Sequence, residues 1–311
     1  MPENQSPDTP QKETLDSLAK RLVAFPEPAS RILALACKEF QGMAFAEIAK
    51  LIQSKSRQGV KADSVPLGLI DTKEGESHDD GTETRFDVYI EPVLPDGTVL
   101  CIDIEVQNDS TIVFLAARSL YYKSRTVSRQ KGRLFLNSNY GQLKKVYSIW
   151  IWLNPPKGEA GSITEVRLAA KRRYPENSEV SEEMAAAYDR ECVVILALPP
   201  PNLENIADDG LNFLSVILAA KISAAKKREF LEAKGIHLED AFLEDLDKMC
   251  TLDESVRRES KIEGKEEQRR EDVISLLEAG LAVEFIAKTL KTSVETIEKI
   301  KQSMFPNKRF A

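Results

Sequence analysis

No run of about 18 apolar residues occurs in this chain of 311 residues, so no membrane-spanning helix is expected. The first residues, MPENQSPDTPQKE, lack the basic start and apolar centre of a secretory signal, and residues 1–11 read as a disordered lead-in. Histidine is scarce, with only His78 and His237. The four cysteines, Cys37, Cys101, Cys192 and Cys250, are scattered and form no C-x-x-C pair. These absences argue against a zinc centre and a disulfide framework, and they fit a reducing cytoplasm. Any metal would fall to carboxylates, which points to Mg²⁺ or Mn²⁺.

Positive charge is also short overall, 43 Lys and Arg against 50 Asp and Glu, for a net charge of -7. Its distribution is uneven. Ser110 to Gly158 contains no acid, yet holds Arg118, Lys123, Arg125, Arg129, Lys131, Arg133, Lys144, Lys145 and Lys157. A local basic field of this kind suits phosphate contact. A solvated helix face carrying a chance cluster is the plainer alternative.

Apolar periodicity predicts two or more helices over residues 13–53, followed by a polar loop over 71–83. ETRFDVYIEPVL and TVLCIDIEVQ alternate as strands around Pro95-Asp96-Gly97. Residues 111–133 read as a helix, and KKVYSIWIWL and CVVILAL as apolar strands. From there the chain reads as helical to its end. The organisation expected is a core over 12–200, a helical extension over 201–252, and a charged helix with a small helical module over 253–311.

Alternation puts Leu100, Ile102, Ile104 and Val106 on one face of the second strand, and Cys101, Asp103, Glu105 and Gln107 on the other. Pro95-Asp96-Gly97 suits a three-residue hairpin loop, with glycine in the left-handed position. Leu94 then pairs with Thr98, and Asp87 comes to lie opposite Glu105. A two-residue loop would instead set Asp87 against Val106. Two carboxylates roughly 5 Å apart across a hairpin repel unless a cation sits between them. An amphipathic hairpin with a solvated polar face is the ordinary alternative.

Five segments resemble the Rpn-type recombination-promoting nuclease and transposase family, a branch of the PD-(D/E)XK nucleases. They are KEFQGMAFAEI (38–48), RFDVYI (85–90), IDIEVQND (102–109), RSLYYKSR (118–125) and NYGQLKKVYSIWIWLNPP (139–156). "Transposase" is a family label only, since nothing here resembles strand-transfer machinery. The resemblance implies an α/β fold with an αβββαβ core and a mixed sheet. It implies Asp87 and Glu105 as metal ligands, completed by the main-chain carbonyl of Val106. It places Gln107 where many relatives outside this branch have lysine; glutamine can orient water but, unlike lysine, carries no charge. It further implies an assisting upstream glutamate, with Glu39 the candidate and Glu47 its rival.

The expected activity is Mg²⁺-dependent endonucleolytic hydrolysis of DNA, with RNA also open. The alternative is a non-cleaving nucleic-acid-binding or regulatory protein on the same fold. Arg118, Tyr122, Arg125 and Arg129 fall at i, i+4, i+7 and i+11, one helical stripe suited to phosphates, although Tyr122 also suits a core position. Near the C-terminus, Leu276, Leu277, Leu281, Phe285, Ile286, Leu290, Ile297 and Ile300 suit the core of a small module. A helix-turn-helix-like element and a homo-oligomerisation pair both fit it.

Overall fold

The computed structural model describes residues 14–53, 76–77, 83–84, 87–108, 111–175, 178–205, 209–236 and 238–304, without the side chains of 76–77, 83–84, 254–266 and 303–304. The lead-in, most of the 71–83 loop, Arg85, Phe86, Asp109 and both histidines lie outside the described residues. Two compact units divide the chain, residues 1–250 and 251–311.

The first unit opens with three helices. α1 (Leu15–Ala24) begins at Thr14, whose hydroxyl accepts the Ser17 N–H while Ser17 reciprocates, a capping box that fixes the start. α2 (Pro26–Ala36) starts on a proline, which costs nothing at a position with no hydrogen bond to lose. A short 3-10 turn (Lys38–Phe40) precedes α3 (Phe45–Gln53). Leu18, Leu22, Ile32, Leu33, Phe40 and Ile48 are fully buried, so the helices are held mainly by apolar contact.

Two short strands, β1 (Glu76–Ser77) and β2 (Glu83–Thr84), form a separate antiparallel ladder. The main sheet begins with β3 (Val88–Ile90) and β4 (Leu100–Gln107), an antiparallel hairpin. α4 (Ile112–Ser128) crosses over to β5 (Lys145–Trp152), parallel to β4. β6 (Ile163–Arg167), α5 (Glu182–Tyr188) and β7 (Glu191–Ala197) complete a mixed sheet of order β3-β4-β5-β7-β6. The α/β class therefore holds. The αβββαβ order expects three strands ahead of the crossover helix, whereas among the described residues only β3 and β4 of the main sheet precede α4.

Every residue of β5 is buried, as an apolar central strand covered on both faces must be. α4 stops at Ser128, short of the expected 133, because Gln130 ends it. The buried Gln130 amide bonds both Lys144 backbone groups (2.7 and 3.0 Å), and its own carbonyl collects the N–H groups of Arg133 and Leu134. β6 and α5 escape sequence reading because they bury little: β6 is an exposed edge strand, and α5 has no buried residue.

α6 (Gly210–Leu218), α7 (Ala224–Ala233) and α8 (Asp240–Glu278) follow. Arg21 on α1 bonds Asp245 on α8 at 2.6 Å. In the second unit, α9 (Val283–Thr289) and α10 (Val294–Met304) flank a turn in which Lys291 takes a left-handed φ of 49°. Its core is Val273, Val283, Ile286, Ala287 and Ile297, with Leu276, Leu277, Leu290 and Ile300 against it. Phe285 and Leu281, both expected in that core, are exposed: α9 turns Phe285 away from its buried stripe, and Leu281 lies in the turn ahead of α9. Among the described residues no helix is long and apolar enough to cross a membrane, and the four cysteines are free and buried.

Candidate active site

The hairpin turn decides the site. The Leu94 N–H donates to the Thr98 carbonyl (2.8 Å), and Gly97, at φ +85°, donates to Leu94 (2.9 Å). The ladder then runs Val88 to Ile104, Tyr89 to Asp103 and Ile90 to Ile102. Asp87 lies one step beyond, beside Glu105, as a three-residue loop requires. Here the regular ladder gives way to side chains. The Asp87 N–H donates to Glu105 Oε1 (3.1 Å), and the Val106 N–H donates to Asp87 Oδ2 (2.9 Å).

The polar face of β4 is not solvated. Glu105 is 1% exposed and Asp103 0%, because α4 lies across them. Burial pushes the Glu105 carboxyl well above its ordinary range; the negative charges of Asp87 and Asp103 add to this, and Arg118 opposes it. Burial likewise raises Asp87, against the pull of the Lys20 ammonium. Lys20, on α1, stands 2.9 Å from Asp87 Oδ1 and 2.5 Å from Asp16. Burial would lower this ammonium, yet those two carboxylates carry it up to about 12. Asp103 is raised by burial to about 7, while Ser148 (2.7 Å) and Thr126 (3.1 Å) donate to it.

Gln107 is held at both ends. Its Nε2 donates to the Val106 carbonyl (3.0 Å), and its Oε1 accepts from Arg118 (2.7 Å). Arg118 also donates to the Tyr122 hydroxyl (3.3 Å) and lies against the rings of Phe114, Tyr122 and Trp150. Tyr122 meets Trp150 edge-on, with ring centroids 5.5 Å apart. Half of the α4 stripe thus points at the carboxylates: Arg118 charges the site through Gln107, and Tyr122 is both core and site wall. Arg129 stacks on Tyr89 at 4.6 Å, farther along the same helix.

Glu39 is not brought to this site. Its carboxylate accepts from Lys145 (3.0 Å) and from the Tyr147 hydroxyl (2.6 Å). Lys145 pairs with Leu100, five residues before Glu105, or about 16 Å along the strand. Lys145 and Tyr147 also alternate away from Ser148, the β5 residue bonded to Asp103, so Glu39 serves the opposite face. Its rival Glu47 is exposed and caps the start of α3 at Ala44 (3.4 Å). The basic field is likewise thinner than its composition. Lys123 is spent on Glu191 (2.6 Å), Arg133 on Glu91, and Lys145 on Glu39 and Asp189. Acids remote in sequence meet bases that looked unopposed.

Sequence reading missed Lys20, for which a lysine in an amphipathic helix gives no signal. It also missed the burial of Asp103; the two acids in one strand were the available clue. No family model, no curated protein and no solved structure matches this chain, so the functional case rests on its own geometry.

Proposed function

We propose that this chain is a metal-dependent phosphodiesterase of the PD-(D/E)XK kind that cleaves DNA. One observation carries the reading: the hairpin register buries Asp87 and Glu105 side by side, both with raised proton affinity. A fold that gathers like charges in a buried place spends stability on it, and such places cluster at functional sites.

The donors suit a hard divalent ion. Asp87 and Glu105 offer carboxylate oxygens, and the Val106 carbonyl lies within the same group of contacts. Two carboxylates and a carbonyl would leave positions for water and phosphate, which suits Mg²⁺. When bound, the ion would polarise a phosphate oxygen and acidify a water. Gln107 fixes the Val106 carbonyl, and Arg118 brings positive charge toward the phosphate. An amide has two N–H groups and two carbonyl lone pairs, so Gln107 can meet a water while keeping both of its present bonds. Arg125 and Arg129 extend α4 along a bound strand.

A second reading, a nucleic-acid-binding protein that does not cleave, draws support from Lys20, which already satisfies Asp87. Supercoiled plasmid separates the two. Nicking with Mg²⁺ or Mn²⁺, absent in chelator and in Asp87→Ala, is the expected result. Retarded but uncut plasmid under every condition would select the second reading. A parallel RNA substrate decides between the nucleic acids.

A further inference from the structure

Lys20 belongs to no motif, yet its ammonium is in direct contact with Asp87 of the carboxylate pair. It spans Asp87 Oδ1 (2.9 Å) and Asp16 (2.5 Å). The two contacts differ in setting: the Asp87 side chain is 11% exposed and that of Asp16 59%. α1 packs against both β3 and β4, which keeps the stem of Lys20 at the site.

The oxygens of the pair are unequally engaged. Asp87 Oδ2 accepts from the Val106 N–H, and Glu105 Oε1 accepts from the Asp87 N–H. Asp87 Oδ1 is taken by Lys20. A divalent ion shared by Asp87 and Glu105 would compete for that oxygen with Lys20. Asp16, on the same helix one turn earlier, offers it somewhere to go.

We propose that Lys20 is a built-in cation that holds the Asp87–Glu105 pair together in the metal-free protein and competes with metal for Asp87. This rests on the metal-dependent reading above. In the metal-free state Lys20 offsets the repulsion between buried carboxylates. In the loaded state its ammonium retires to Asp16. Lys20 is thus a positioning residue, because it sets how readily the site loads.

The proposal predicts opposite shifts in two variants. Lys20→Met keeps the stem and removes the competitor, so Mn²⁺ affinity should tighten about tenfold, the scale of one lost competing ion pair. Asp16→Asn removes the alternative partner and commits Lys20 to Asp87, so Mn²⁺ affinity should weaken by a smaller factor. Free Mn²⁺ is read by electron paramagnetic resonance on the full chain, with thermal midpoints taken in chelator. There Lys20→Met should melt below the parent, because the pair has lost its counter-charge.

Parental Mn²⁺ affinity in both variants would overturn the role of Lys20, while the metal reading would stand if Asp87→Ala abolished Mn²⁺ binding. If neither parent nor Lys20→Met binds Mn²⁺, the metal reading fails and this inference with it. Should Lys20→Met fail to fold, a tighter or unchanged affinity in Asp16→Asn would overturn the proposal by itself.

Discussion

The two ends of β4 handle charge in opposite ways. At the Leu100 end, Glu39, Lys145, Asp189, Lys38 and Arg167 form a network in which each carboxylate meets a cation. At the Gln107 end, Asp87 and Glu105 are buried against each other, with Lys20 on one side and Arg118 reaching them through Gln107. The first arrangement stabilises the fold. The second costs stability, and an unpaid electrostatic cost is the better marker of chemistry. A glutamate in the right region of sequence is therefore a poor guide until its partners are known.

Substitution at both ends would break this comparison most directly. Glu105→Gln and Asp87→Asn should abolish metal-dependent nicking, a loss of about 10³-fold or more for a metal ligand on the scale of lost transition-state stabilisation. Glu105→Gln should also melt higher than the parent in chelator at alkaline pH, because a neutral amide avoids the cost of ionising a buried carboxyl beside Asp87. Glu39→Gln should do the reverse, keeping nicking and lowering the midpoint. A nicking defect in Glu39→Gln equal to that of Glu105→Gln would erase the distinction.

Gln107→Ala should come next, with cleavage falling roughly 10- to 100-fold, because it frees the Val106 carbonyl and takes the acceptor from Arg118. Full activity in that variant would leave Gln107 as a strut. Gln107→Lys would set an ammonium against the Arg118 guanidinium, so it should melt lower than the parent, which is read by calorimetry.

The balanced end sharpens the comparison through pH. Burial alone would raise Asp189, but Lys38 and Lys145 overcome it and hold the carboxyl down at about 2. A depressed carboxyl stabilises the fold above its unfolded pKa, near 4, and that stability is lost as pH falls toward 2. Solvent screens part of this at a partly exposed position, which leaves a contribution of about 1 kcal/mol at neutral pH. Asp189→Asn should therefore melt lower at pH 7 and show a flatter fall between pH 4 and pH 2. An unchanged acid limb would mean that the network contributes nothing.

The smallest effect concerns DNA affinity. Arg125→Ala with Arg129→Ala should reduce the slope of log affinity against log salt by up to about 2, one unit per lost phosphate contact. Lys123→Met with Arg133→Met should leave the slope alone, since those bases already meet Glu191 and Glu91. Equal slopes in the two pairs would remove α4 from the nucleic-acid interface.

What was legible in the sequence follows from how local each feature is. The register of Asp87 and Glu105 could be read because a three-residue turn fixes it within one hairpin, and β5 could be read because a strand buried on both faces is apolar throughout. The fate of Glu39 and of the basic stretch could not, since Lys145 meets Glu39 across 106 residues and Lys123 meets Glu191 across 68. No local pattern reports such meetings. Lys20 escaped for the same reason. The edge strand β6 and the helix α5 escaped for another: elements that bury little leave no periodicity to find.

The same difference in sequence separation has a consequence for the order in which the molecule comes together. Asp87 and Glu105 close a loop of 18 residues, whereas Glu39 and Lys145 close one of 106. By loop-closure entropy alone the shorter contact is favoured by about 1.6 kcal/mol. The hairpin that carries the acidic pair can form while its surroundings are still open, and the ion network at the far end must wait for β5 to dock. Repulsion between Asp87 and Glu105 is harmless at that early stage, because water still screens it. It becomes costly only as α1 and α4 close over the hairpin, and the arrival of α1 is also the arrival of Lys20.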